Sequence, residues 1–225
     1  MPSLEFQQFT CVRNEAPLFH PLNFTASPGE MIQIVGPNGA GKTTFLRAVS
    51  GLFDHTEGRY LWDGKPISRM VYERAVSLLY LGHHPGVKGA LSAAENLHWY
   101  AGLYGADAGQ IGAALAEVGL MGYEDTLCQQ MSAGQQRRVA LARLFITKAQ
   151  VWVLDEPFTA IDVAGVSRLE AKLQQHAAAG DEFVDLLVRQ IEGRGNGVQE
   201  PFELGFLHFV EADLQKIRRY RIIWR

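Results

Sequence analysis

The chain has 225 residues, a formal net charge of −3, and 47% hydrophobic against 20% charged residues. That length suits one sizeable α/β domain with a small subdomain, not two full domains. The charge gives no bulk argument for nucleic acid or an anionic membrane surface as a partner.

The two cysteines, Cys11 and Cys128, lack metal-ligand spacing and read as reduced, buried thiols. The opening MPSLEFQQFT lacks the basic start and apolar core of a signal peptide. No apolar run reaches the roughly 18 residues of a membrane helix, so work at a membrane would require another subunit to hold the chain there.

From Leu4 to Phe24, short alternating segments with aromatics, broken by RNEAP, predict antiparallel strands. Met31 to Val35 reads as a buried strand that runs straight into a glycine-rich turn. Phe45, Leu46, Val49 and Leu52 then recur at helical spacing. GRYLWDGKPI predicts a strand pair around the Asp63-Gly64 turn, and AVSLLYLG, Ala75 to Gly82, predicts another strand. Leu91 to Leu127 is rich in Ala and Leu and poor in β-branched residues, which predicts helix. VWVLDEP returns to a buried parallel-type strand, and Val163 onward is a helix closed by Gly180. This alternation of strand and helix implies a parallel sheet with a helical insertion in its middle.

GPNGAGKTT matches the P-loop pattern between a strand and a helix. Gly36, Gly39 and Gly41, with Pro37, Asn38 and Ala40 between them, would turn backbone amides inward around phosphates, and the helix N-terminus adds partial positive charge. Lys42 would reach the β- and γ-phosphates of a nucleotide, Thr43 would hold Mg²⁺, and Thr44 completes the motif. An ordinary glycine turn is the bland alternative, and it does not explain every position filled in the right context. Downstream, Asp155 at the end of an apolar strand would help hold Mg²⁺, and Glu156 beyond it would polarise a water near the γ-phosphate. Alone an Asp-Glu strand end is common; beside a P-loop it is specific.

A third segment, MSAGQQRR, follows Lys42 by 132 − 42 = 90 residues at its Ser132 and precedes Asp155 by 155 − 132 = 23. This spacing resembles the ATP-binding cassette (ABC) family, whose L-S-G-G-Q signature reads here Met131-Ser132-Ala133-Gly134-Gln135. Ser132 also reads as the N-cap of an amphipathic helix, and the two readings are compatible. The resemblance implies a P-loop NTPase fold of the ABC type, an α/β nucleotide-binding domain with an antiparallel β subdomain and a helical subdomain at about 84–130, filling 1–225 as one domain. It also implies a head-to-tail homodimer in which Ser132, Gly134 and Gln135 cap the ATP on the partner's P-loop. Ala160, Ile161 and Asp162 resemble the D-loop, and His83, nine residues before Ser92, stands where the family usually has the Q-loop Gln. There a histidine could touch Mg²⁺ or the attacking water, and a surface turn residue is the alternative. The adenine-stacking aromatic is missing, its position falling near Arg13.

LYLGHHPGVK, ALSAAENLHWY, MSAGQQRRVALARL and LDEPFTAIDVAGV together resemble one branch of the family, the ATP-binding subunits of the haem exporter of cytochrome c maturation. That resemblance implies ATP and Mg²⁺ as cofactors and integral membrane subunits as partners. It implies a peripheral place on the cytoplasmic face of the inner membrane, with no nucleic acid and no direct contact with cargo. A degenerate cassette that binds ATP with little turnover, or a subunit of an exporter of another substrate, are the competing readings.

The likeness covers Leu4 to Gly180 and weakens beyond. A switch histidine is expected after the next strand, and aligning Val184 with that strand puts Arg189 in its place, 189 − 156 = 33 residues after Glu156. Arg189 could hold a γ-phosphate by charge but could not readily accept a proton, and Asp185 would be an odd charge in a central strand. A second register uses His208 and needs an inserted Gly-rich loop; in a third, the residues after Gly180 do not follow the family pattern at all. The Arg189 register is preferred. The basic tail (Lys216, Arg218, Arg219, Arg221, Arg225) reads as an edge strand.

Overall fold

The computed structural model describes residues 3–159, 161–178, 184–190 and 220–223, the last two segments by backbone alone. β1 (Leu4–Arg13) anchors an antiparallel sheet with β2 (Ala16–Pro17), β3 (Leu22–Ala26) and β5 (Thr56–Trp62), and β6 (Lys65–Pro66) folds back on β5 through Asp63-Gly64. Both central residues of that turn have positive φ (50° and 72°), the conformation a two-residue hairpin with strand-matched twist requires. The register of β1 slips on both edges around Gln8, itself at φ 49°. Opposite it sits Gly58 at φ 82°, where an added Cβ would lie 2.1 Å from the Gln8 carbonyl oxygen. The bulge therefore depends on a residue without a side chain.

The second sheet is wholly parallel. β4 (Glu30–Gly36), β7 (Leu78–Leu81), β8 (Val151–Asp155), β9 (Val184–Gln190) and β10 (Tyr220–Ile223) lie in the order β10-β4-β9-β8-β7. All five residues of β8 are buried, as a strand covered on both faces must be. Its side chains alternate between two cores. Trp152 and Leu154 join Met31, Leu79 and Leu81 and the apolar faces of four helices, α3 (Ala93–Tyr104), α4 (Ile111–Glu117), α5 (Ala133–Ile146) and α6 (Val163–Ala178). Val151 and Val153 join Ile32 and Ile34, Phe45 and Leu46 of α1 (Lys42–Val49), and the aromatics Phe6, Phe9, Tyr60 and Trp62 of the antiparallel sheet.

Three expectations need correction. The stretch from Ala75 to Ser77 is not strand but the end of α2 (Val71–Ser77). β7 begins only where a partner exists, at Leu78 opposite Val151, and the apolar Val71, Tyr72 and Val76 face outward. Leu52 lies past the end of α1, after Gly51 at φ 75°, and is 54% exposed, so it is no core residue. The middle segment is helical only in pieces: α3 starts on a reciprocal Ser92–Glu95 capping box and stops at left-handed Gly105, and α4 follows after a 3₁₀ turn. Gly180 lies outside the described residues.

Other features follow the expected pattern. Cys11 and Cys128 are free and buried, and burial pushes the Cys11 thiol up to about 12. Asp185 sits in the central strand, in register with Met31 and Trp152. β10, which carries Arg221, forms the sheet edge beside β4; Lys216, Arg218, Arg219 and Arg225 lie outside the described residues. Among the described residues no helix is long and apolar enough to cross a membrane.

Candidate functional site

Parallel strands bring their C-terminal ends to one edge, where the loops of an α/β sheet form ligand crevices. Register pairs Gly36 with Gln190, Asp155 with Val188, and Leu81 with Leu154. The glycine-rich turn, the Asp155-Glu156 strand end and the His83 loop therefore emerge side by side.

The turn Pro37–Gly41 links β4 to α1. Gly39 (φ 82°) and Gly41 (φ 87°) hold it open in conformations that other residues adopt only under strain. At Gly41 space is short as well, since a Cβ would meet Phe19 Cδ1 at 3.1 Å and Leu18 Cβ at 3.3 Å. The antiparallel sheet thus backs the turn from outside. Gly41 also stands at the N-cap of α1, with no side chain capping the first amides, so these donors are available to an anion. Lys42 is buried, and its Nζ donates to the carbonyls of Gly36 (2.6 Å) and Pro37 (2.7 Å). Burial lowers its pKa, and the charges of Glu156 and Asp155 act in the other direction.

Asp155 is 1% exposed, and neither carboxylate oxygen has a hydrogen-bond partner of normal geometry. Burial raises its pKa chiefly, helped by Glu156; the Thr43 hydroxyl beside it, His83 and Arg137 favour the charged form. A buried charge so poorly satisfied is costly. Asp155→Asn is expected to weaken Mg²⁺-dependent nucleotide binding, so that MgATP raises the Tm of the variant less than that of the wild type. Thermal unfolding with and without MgATP checks this, and an equal rise in both proteins would contradict it.

Glu156 follows at φ 52°, the left-handed region, unusual for a residue that is not glycine. Its Oε2 lies 3.9 Å from His83 Nδ1, and the Thr159 hydroxyl approaches the same oxygen at 3.5 Å. The His83 side chain is 61% exposed against 15% for Glu156, so the histidine lines the mouth and the carboxylate the wall.

Ser132 caps α5 in a reciprocal box: its Oγ accepts the Gln135 amide at 3.2 Å, and Gln135 Oε1 accepts the Ser132 amide at 2.9 Å. Ser132 is exposed, Gly134 and Gln135 are half-buried, and among the described residues no hydrogen bond joins this turn to Gly36–Thr44 of the same chain. Asp162 Oδ1 accepts the Gly165 amide at 2.7 Å at the start of α6, and Ile161 packs on the helical core; Ala160 lies outside the described residues. Arg13 is exposed at the end of β1. Arg189 lies on β9 opposite Val35, between the strands that carry the P-loop and Asp155. His208 lies outside the described residues.

Arg137, on the second turn of α5, escaped the sequence reading. Its guanidinium is buried against the carbonyls of Asp155, Glu156, Gly82 and His83. A cation at a position that helical spacing turns inward was the available signal.

The family model described as ABC transporter matches residues 19–159. The chain is 51% identical over 180 residues to the cytochrome c biogenesis ATP-binding export protein CcmA of Shigella flexneri, covering 80% of this chain and 86% of that protein. With the same-named protein of Salmonella typhi it shares 50% over 196 residues, 87% of this chain and 94% of the relative. Among solved structures, an ATP-binding subunit of an ABC transporter superposes with a TM-score of 0.76 at 22% identity, covering 84% of this chain and 79% of the other. A putative ABC transporter ATP-binding protein from Pyrococcus furiosus gives 0.72 at 24%, covering 85% and 92%. At such identities these structures speak for the fold alone.

Proposed function

The chain belongs to the ABC transporter ATP-binding family, and from that premise we propose that it is the ATP-hydrolysing subunit of the haem exporter of cytochrome c biogenesis. Two copies pair head to tail around two nucleotides and drive conformational change in integral membrane subunits at the cytoplasmic face of the inner membrane. The observation that carries the reading is the meeting of Gly36–Thr44, Asp155-Glu156 and His83 at one edge of the parallel sheet, in a chain half identical to proteins named as ATP-binding export proteins of cytochrome c biogenesis.

In this reading the loop amides from Gly36 to Thr44 and the N-terminus of α1 receive the phosphates, and Lys42 turns its ammonium from loop carbonyls to phosphate oxygens. The residues present suit a divalent cation, because the two buried oxygens of Asp155 have no hydrogen-bond partner of normal geometry and the Thr43 hydroxyl lies beside them. Thr43 and Asp155 would hold Mg²⁺, which neutralises phosphate charge when bound. Glu156 orients a water and takes its proton, with His83 across the mouth to bear on the same water or on Glu156. Ser132, Gly134 and Gln135 close over the partner's nucleotide, the exposed end of α5 supplying amides. Arg189 stands in the strand between the two halves of the site and offers positive charge where the family has a switch histidine.

Deleting the protein from its host should abolish haem attachment to c-type cytochromes, and the wild type but not Glu156→Gln should restore it. Normal cytochromes in the deletion strain would instead point to export of another substrate. Single-turnover hydrolysis no faster than that of Glu156→Gln, with membrane subunits present, would mark a degenerate cassette.

A further inference from the structure

We infer that Arg137 is a positioning residue that clamps the His83 loop and the Glu156 strand end into one rigid unit. The inference rests on the reading of Glu156 and His83 given above and extends it to a residue whose hydrogen bonds go to the backbone carbonyls beneath them.

β7 and β8 stay paired up to Leu81 and Leu154. Beyond that pair no ladder pairing joins the two strands among the described residues. Arg137 fills this gap with a planar fork. Nη2 donates to the carbonyls of Asp155 (2.9 Å) and Glu156 (3.0 Å), while Nη1 donates to that of Gly82 and approaches that of His83 at 3.5 Å. The two groups of acceptors are remote in sequence, yet one guanidinium spans them with directed bonds, which no lysine ammonium could do in the same plane.

Two further features show what the clamp holds. Glu156 sits at φ 52°, a left-handed conformation strained for an L-residue, and two of the fork's bonds fall on the carbonyls on either side of that φ–ψ pair. The side chains carried by the two loops, His83 and Glu156, meet at 3.9 Å. Arg137 itself is 5% exposed, so its charge has little water to solvate it, and the neighbouring Asp155 and Glu156 carboxylates supply the compensation. A general base must be held within fractions of an ångström of its water, and misplacement of about 1 Å costs on the order of 10²-fold in rate.

The test compares the full-length wild type with Arg137→Gln, Arg137→Lys and Glu156→Gln. Steady-state ATP hydrolysis is measured alongside binding of a fluorescent ATP analogue and amide hydrogen exchange. Arg137→Gln is expected to lower kcat roughly 10- to 100-fold with KM and nucleotide affinity nearly unchanged. Arg137→Lys, which keeps the charge but loses the fork, should fall between. Exchange should rise at the amides of Gly82, His83, His84, Asp155 and Glu156 and not elsewhere. Adding His83→Ala to Arg137→Gln should cost less than His83→Ala alone, because the clamp already acts through that loop.

Wild-type kcat in Arg137→Gln overturns the inference. So does a uniform rise in exchange with parallel loss of nucleotide binding, which would mark a merely structural residue. If Arg137→Gln does not fold, the Lys variant decides by the same readouts. If the wild type hydrolyses no faster than Glu156→Gln, it is the assignment of Glu156 that fails, and the exchange pattern still decides whether Arg137 clamps the two loops.

Discussion

Glu156→Gln is expected to lower ATP hydrolysis by about 10²- to 10⁴-fold, the range attributable to a positioned general base, while ATP still binds. The substitution keeps the size and the backbone of the carboxylate and removes only its capacity to take a proton. The phosphate contacts we propose lie on a different loop, Gly36 to Thr44, where Lys42 is left unchanged. With hydrolysis blocked and binding intact, the ATP-bound dimer should accumulate. Turnover assays paired with size-exclusion chromatography in MgATP would show a catalytically silent protein that shifts to twice its monomer mass. Residual turnover above about a tenth of the wild type would transfer the base's role elsewhere, and His83, 3.9 Å away, is the first residue to replace. Lys42→Ala should act oppositely, losing nucleotide and dimer together.

The second large effect concerns which molecule Ser132 serves. Lys42→Ala and Ser132→Arg should each abolish turnover as homodimers, the first by removing the phosphate cation, the second by placing bulk and charge at the exposed start of α5. Mixed in equal amounts they should recover up to about a quarter of wild-type activity. Half of random dimers are heterodimers, and a head-to-tail heterodimer places both lesions in one composite site and leaves the other whole. If each subunit served its own nucleotide, every site would carry a lesion and mixing would restore nothing. Ser132→Arg also removes the capping box, a loss of about 1 kcal/mol. A thermal melt of each variant therefore accompanies the kinetics.

Features set by contiguous residues were legible in the chain before any coordinates. The glycines of the P-loop announce a tight turn, Ser132 announces a helix N-cap, and the unbroken apolar run Val151–Leu154 announces a buried strand of a parallel sheet. Each depends on torsions and hydrogen bonds within a few residues, so local pattern suffices. Even the hairpin at Asp63-Gly64 is of this kind.

Misreadings arose where a residue's state is decided by a distant neighbour. Ala75–Ser77 have strand-like side chains, yet they turn as helix because no strand lies opposite them until Leu78 reaches Val151. Spacing alone places His83 at the Q-loop position, and its closeness to a carboxylate 156 − 83 = 73 residues later follows only from β7 lying against β8. Arg137 looked like one of two basic residues on a helix, and its four carbonyl contacts arise only once α5 crosses the ends of both strands.

What the sequence determined by itself, then, is the chemistry on hand: a glycine-rich P-loop, a buried acid followed at once by a second acid, and a helix capped by Ser132. What only the tertiary structure decided is the strand order β10-β4-β9-β8-β7 and everything that depends on it. That includes β9 and its Arg189 between the P-loop and Asp155, and the left-handed backbone at Glu156 under the Arg137 fork. The physical reason is that torsional preference and hydrophobic period are short-range, whereas strand order is chosen by the burial of two cores at once, a balance to which the whole chain contributes.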